Sequence, residues 1–350
     1  MTRTDPSTGT GPRRRQEVTV AKIAALAGVS APTVSKVING RSGVSVDTRR
    51  RIEELIHEHG WQRRPERAES TAIIEVLFQA VDSLWALELI RGVNQVARSC
   101  GQAVAVTDMQ GHNSPHREWI EEVLARRPAG VIAVSAELSD HNHAQLASRS
   151  IPIVALDPYG EPGHRVPSVG ATNWNGGLSA TRHLLELGHH RIAVITGPLT
   201  VMCCRARFDG YRAAMETAGV PVDPRLVRTC PLYVEPGRTE AEALLALPDR
   251  PTAVVAGNDL QALGVYQAAL RAGLRVPGDL SVIGFDDLPL AQWADPPMTT
   301  VHQPLAKMGA AAAELVMALS AGEVPEHHRI ELATHLVIRG STTAPPGSPR

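Results

Sequence analysis

From residue 18 to about 59 the apolar positions recur at helical spacing. After residue 71 they gather into short β-rich runs separated by amphipathic stretches. In the first region Ile23, Leu26 and Ala27 mark one helix, Val34, Val37 and Ile38 a second, and Ile52, Leu55 and Ile56 a third over 46–59. Gly28 can leave the first helix in a left-handed conformation without a Cβ penalty. Ser30 can cap the second helix, which tolerates Pro32 in its first turn. Thr19 stands where the first helix needs an N-cap. Two short helices round a Gly-Val-Ser turn, backed by a third, predict a helix-turn-helix that reads DNA, with Thr33, Ser35, Lys36 and Asn39 turned outward.

The later region reads differently. β-rich runs at 72–78, 103–108, 130–135, 152–157, 191–197, 252–257 and 280–285 alternate with helical stretches at 85–100, 117–127, 178–187, 206–218, 239–247 and 260–272. Repeated strand-helix alternation predicts parallel sheets covered on both faces, divided into two doubly wound lobes of four or five strands each.

Charge sharpens this division. Residues 1–64 hold twelve Lys/Arg against six Asp/Glu, a net of +6, while the whole chain is −1, so the remainder carries −7. A basic head on an acidic body is the asymmetry expected when one end meets phosphate. Arg13, Arg14 and Arg15 lie in a Gly/Pro/Thr-rich tail and either attract phosphate or merely solvate that tail. Cys100, Cys203, Cys204 and Cys230 show no metal-ligand spacing, and reduced thiols suit the cytosol. With neither a secretion signal nor an apolar run of membrane-spanning length, the expected location is cytoplasmic. The chain contains no GxGxxG, GxxxxGK[ST], GxSxG or HExxH motif, and no enzyme activity, cofactor or metal is expected.

Ala24, Ala27, Gly28, Val29, Ser30, Thr33, Val34, Ser35, Val37, Asn39 and Gly40 together resemble the head-piece of the lac repressor/galactose repressor family of bacterial transcription regulators. The resemblance continues to residue 341 through GHHRIAVITGP, RARFDGYRAAM, PTAVVAGNDLQALGVYQAAL, VPGDLSVIGFDD and MTTVHQP. It implies an α/β fold: a three-helix DNA-binding domain at 18–61, a linker at 62–71, and a periplasmic-binding-protein-like effector domain at 72–341. Lobe 1 would take about 72–170 and 303–326, and lobe 2 about 171–302 and 327–341, with tails at 1–17 and 342–350.

Ligands of open parallel sheets bind beyond the carboxyl ends of the strands. Asp157, Asn258 and Asp286 fall there, and Arg207 near a following helix start. The family motifs R-x-R-x-x-G-Y, GND and FDD carry effector contact onto Arg207, Asn258 and Asp286. Trp85 and Trp174 stand out in a chain with 3% aromatics, as faces that can stack on a sugar or heterocycle. Gln79, Asp82 and Tyr233 complete the candidates. Two structural readings stay open: Asp259 as the cap of the helix that follows it, and Asp157 as a turn initiator before Pro158.

On the DNA side, the resemblance puts Ala31, Pro32 and Lys36 at base-reading positions, with Thr19, Ser30, Thr33, Ser35 and Asn39 holding the backbone. Arg63 and Arg64 in the linker can reach phosphates. The family's hinge leucine is replaced by Ser70, in a linker about one helical turn short, which predicts weaker operator kinking or a different coupling between effector and DNA. The expected assembly is a homodimer on an inverted-repeat operator, released by a small sugar in the interlobe cleft. The alternative is a purine or other corepressor. The C-terminal tail lacks a leucine heptad and predicts no tail-mediated tetramer.

Overall fold

The computed structural model describes residues 20–38, 43–58, 71–160 and 166–347. The chain divides into two units, Met1–Ala68 and Glu69–Arg350. The first unit holds α1 (Val20–Ala27), α2 (Ala31–Ile38) and α3 (Val46–Glu58). Gly28 takes φ +68°, and the Val29 amide turns back to the Ala24 carbonyl at 3.0 Å, ending α1 within one residue. Ile23, Ala24, Ala27, Val34, Val37 and Ile52 form its core. Leu26 departs from expectation: it is 42% exposed, because the buried stripe of α1 runs through residues 23, 24 and 27. Ser45 begins α3 by accepting the Thr48 amide at 3.3 Å.

The second unit contains two six-stranded sheets. The first comprises β1 (Ile73–Phe78), β2 (Ala103–Asp108), β3 (Gly130–Val134), β4 (Ile153–Leu156), β5 (Ser168–Ala171) and β11 (Arg329–Leu332), all in parallel pairs. The second comprises β6 (Ile192–Thr196), β7 (Val227–Thr229), β8 (Ala253–Ala256), β9 (Ser281–Asp286), β10 (Thr299–His302) and β12 (His335–Val337); β12 alone of these runs antiparallel, against β10.

Both faces of each sheet are covered, so central strands read as continuous apolar runs. Ile74, Val76 and Phe78 of β1 pack under α4 (Leu84–Ser99) and α11 (Leu305–Ser320). Leu77 faces the opposite side with α5 (Arg117–Arg126) and α6 (Asp140–Ser148). In the second lobe, α7 (Asn173–Glu186) and α8 (Met202–Thr217) cover one face, and α9 (Val234–Leu245) and α10 (Asp259–Arg271) the other.

The chain passes between the lobes after β5, after β10 and between β11 and β12. The third passage falls at residues 333–334 rather than near 326, because β11 adds to the first sheet beside β5. Two passages are tied together: Thr172 Oγ1 accepts the Thr334 amide at 2.9 Å, and the Thr172 amide donates to the Leu332 carbonyl at 2.9 Å.

Candidate functional site

A cavity of about 440 Å³ opens where the carboxyl ends of strands from both lobes meet. The first lobe supplies Gln79, Asp82 and Trp85 from the segment after β1, with Ser135 after β3 and Asp157 and Tyr159 after β4. The second lobe supplies Cys203 and Arg207 from α8, Tyr233 ahead of α9, Asn258 ahead of α10 and Asp286 at the end of β9. Eight of the nine expected effector residues therefore line one space. Of five Trp, four Tyr and three Phe in the chain, Phe78, Trp85, Tyr159 and Tyr233 line it, a concentration suited to stacking against a ring.

Arg207 is the hub. Its buried guanidinium donates from Nε to Asn173 Oδ1 at 2.8 Å, from Nη1 to the Gly257 carbonyl at 2.7 Å, and from Nη2 to Gln303 Oε1 at 2.9 Å. It lies 3.6 Å from the centroid of the Phe285 ring. Asn173 and Gln303 sit just past two of the interlobe passages, so one side chain links the cavity wall to both. Neither was among the sequence candidates; their pairing with Arg207 spans 34 and 96 residues, beyond any local pattern.

α8 can present Arg207 so closely because small residues let it approach α7. A Cβ on Gly177 would overlap the Arg207 carbonyl, and one on Gly210 the Trp174 carbonyl.

Asp286 lies 3.4 Å from Arg207 Nη2 and is buried. Its Oδ1 has no hydrogen-bond partner, and burial pushes the carboxyl up to about 7. Asp286 and Asp287 hold φ values of +104° and +58°, left-handed backbone that non-glycine residues seldom adopt outside functional loops. Asp287 is anchored by His302 Nδ1 at 3.0 Å and Arg339 Nη2 at 2.6 Å, which fixes the loop. Burial also raises the Asp157 carboxyl, offset in part by Arg207 and by the Cys203 thiol. Burial, with Asp82 beside it, pushes the Tyr233 hydroxyl upward.

Three expectations change. Trp174 is 43% exposed and lines not the main cavity but a smaller adjoining crevice of about 130 Å³, which shares Asp157 and Cys203 with it. Asn258, not Asp259, caps α10: its Oδ1 accepts the Gln261 amide at 2.8 Å. Asp259 instead holds the Leu288 amide at 2.7 Å and the Thr300 hydroxyl at 2.5 Å, tying β10 to the loop after β9. Ser135, Tyr159 and Cys203 line the cavity without having been singled out, although Ser135 and Tyr159 obey the same strand-end rule as Asp157.

In the first unit, Ala31, Pro32, Ser35 and Lys36 are exposed on α2, and Ser30 Oγ meets Thr33 Oγ1 at 2.9 Å. Thr19, Asn39, Arg63, Arg64 and Ser70 lie outside the described residues.

Residues 19–64 match the bacterial regulatory proteins of the lacI family, and residues 181–342 match the periplasmic binding protein-like domain. The transcriptional repressor CytR of Escherichia coli strain K12 is 32% identical over 340 residues, spanning 95% of this chain and 99% of CytR. The chain belongs to the lacI family of bacterial regulators.

This lacI-family chain is a DNA-binding transcriptional regulator. It is also 33% identical over 331 residues to the ribose operon repressor of the same strain, covering 92% of this chain and 99% of that repressor. Among solved structures, the regulator CelR in complex with cellobiose superposes with a TM-score of 0.71 at 33% identity, covering 92% of this chain and 99% of CelR. No described helix is long and apolar enough to cross a membrane.

Proposed function

We propose that this regulator is a repressor, homodimeric on an inverted-repeat operator, whose DNA affinity is set by a small carbohydrate in the cavity between its lobes. The observation that carries this reading is convergence. Eight residues chosen from separate stretches of the chain line one space, with carboxyl groups for hydroxyl groups and aromatic faces for a ring. CelR, of similar fold, is described with cellobiose bound, and the ribose operon repressor is named for a sugar regulon.

Effector and operator affinities are then linked through the lobes. A ligand held by groups of both lobes favours one interlobe arrangement, and Arg207, joined to Asn173 and Gln303 at two passages, registers that arrangement. On the DNA side, Ala31, Pro32 and Lys36 read bases while Thr19, Ser30, Thr33, Ser35 and Asn39, with Arg63 and Arg64, hold the backbone. Lys36 is the principal donor, because Ala31 and Pro32 offer apolar contact alone.

A thermal-shift screen against sugars and nucleobases, repeated with Asp286→Ala, tests the effector reading. A compound that raises the melting temperature of the wild type alone, and releases operator in a mobility-shift assay, is the expected result. A nucleobase that stabilises the protein and tightens operator binding would replace the sugar reading with corepression.

A further inference from the structure

The donors and acceptors around the cavity are unevenly spent. Among the described residues, Arg207 is the one cation that lines the cavity. A guanidinium carries five N–H groups, and those of Arg207 already serve Asn173, the Gly257 carbonyl and Gln303, with Nη2 also beside Asp286. One face of the fork is covered by Phe285 at 3.6 Å. No pair of parallel N–H groups is left for the bidentate grip that recognises a phosphate or carboxylate.

The amides are spent in the same way. Asn258 accepts the Gln261 amide at 2.8 Å and donates to the Leu232 carbonyl at 3.1 Å. Gln79 donates to Asn113 Oδ1 at 2.5 Å. Two helix N-termini at the cavity are engaged at least in part: the first amide of α8, at Met202, donates to the Tyr159 carbonyl at 2.9 Å, and the Asn258 side chain caps α10. The starts of α4 and α9 carry no side-chain cap, and the acidic Asp82 stands just ahead of α4.

One acceptor, by contrast, remains open. Asp82, Asp157 and Asp286 all line the space, Asp157 and Asp286 are more than nine-tenths buried, and Asp286 Oδ1 has no hydrogen-bond donor. A buried acceptor left unpaired is costly, and a ligand N–H or O–H relieves that cost. A phosphate monoester would bring about −1.5 to −2 charges and further acceptors into this setting. It would meet a cluster of acidic side chains at close quarters with no fork to hold it.

We propose that the cavity takes an uncharged, donor-rich effector and refuses the phosphate monoester of the same molecule, the acidic side chains of Asp82, Asp157 and Asp286 being the discriminating groups. This rests on the reading of the cavity as the effector site. It extends that reading by separating a free sugar or nucleoside from a sugar phosphate or nucleotide. It also gives Arg207 a new part: a cation that holds Asp286 and the interlobe passages in place rather than an anchor for a ligand anion.

The test uses full-length protein and a bacterial metabolite extract split on an anion exchanger, with thermal shift as readout. Ribose, cellobiose, adenosine and cytidine are run as defined probes beside ribose 5-phosphate, glucose 6-phosphate, AMP and CMP. Stabilisation by the unretained fraction, by an uncharged probe or by both, with the active compound bound at least 100-fold more tightly than its phosphate monoester, is the expected result; that ratio is about 2.7 kcal/mol. Stabilisation by the retained fraction that phosphatase treatment abolishes, or a ratio below tenfold, overturns the inference while leaving the effector site intact. Stabilisation by neither fraction and by no probe overturns the effector-site reading itself, and this inference with it. Asp82→Asn and Asp286→Asn assign the cause: a ratio narrowed at least fivefold in one of them is expected. An unchanged ratio in both, with folding verified by circular dichroism, removes the carboxylates from the explanation.

Discussion

Arg207 Nη2 lies 3.4 Å from Asp286 Oδ1 in a space where both side chains are more than nine-tenths buried. The contact is ionic rather than a good hydrogen bond, because the nearer acceptor of that nitrogen is Gln303 Oε1 at 2.9 Å. A buried carboxylate with its cation shared among other acceptors is an energetically costly arrangement in the empty cavity. Sites that bind ligands commonly hold such groups, since occupancy supplies the partner that the fold withholds.

The first prediction follows from the direction of this shift. Burial raises Asp286 from 3.8 to about 7, so folding favours the protonated acid. Its contribution to stability is fully present below pH 3.8 and is lost as pH rises through 7. The span corresponds to about 4 kcal/mol as a ceiling. Asp286→Asn keeps the shape and cannot ionise. The difference in melting temperature, variant minus wild type, therefore rises between pH 4 and pH 8. A difference curve that is flat or falling over that range, measured without effector, rejects the assignment.

Helix α8 positions Arg207 by lying close on α7. Gly177 and Gly210 make that approach, and a methyl at either meets backbone rather than a yielding side chain. Gly210→Ala is expected to lose about 1–3 kcal/mol of stability, read as a lower denaturant midpoint at unchanged m-value. Because α8 must shift to admit the methyl, effector-induced stabilisation falls as well. Normal stability would show that the two helices separate at little cost.

Trp174 gives a prediction of the opposite kind. It borders the smaller crevice and not the main cavity, so Trp174→Ala leaves the effector-dependent rise in melting temperature within twofold of wild type in half-saturating concentration. A tenfold loss would show that the two spaces act as one in the liganded protein.

What the sequence disclosed and what it hid divide along the range of the interactions. The three-helix unit was legible because its cues are local: a glycine at the turn, a serine after it and apolar spacing on each helix. Leu26 misled because three apolar residues close together fit more than one stripe, and Ala24 is the one that packs. The strand-end rule located Asp157, Asn258 and Asp286, since loop position depends on the nearest strand alone. It could not tell whether Asn258 or Asp259 starts α10, a difference of one residue. Edge strands β11 and β12 are only four and three residues long, too short for a pattern to form, and the third interlobe passage was misplaced with them. Rarity of aromatics drew attention to Trp174 equally with Trp85, yet rarity says nothing about which way a helix turns a side chain.

The last prediction concerns DNA. Lys36 is exposed on α2, two turns of chain after the Gly28 bend and alongside the exposed Ala31 and Pro32. Neither Ala31 nor Pro32 has a side-chain hydrogen-bond donor, so in the proposed docking base discrimination by this helix face leans on Lys36. Lys36→Ala is expected to weaken operator binding by about 1–3 kcal/mol and to relax preference at one position of each half-site. A lysine that merely neutralises phosphate behaves differently. Its loss weakens all sequences alike and lowers the slope of log affinity against log salt by about one. Binding titrations on a set of single-base operator variants, repeated at several salt concentrations, separate the two. Equal weakening across every variant, with the reduced salt slope, would move Lys36 from the bases to the backbone.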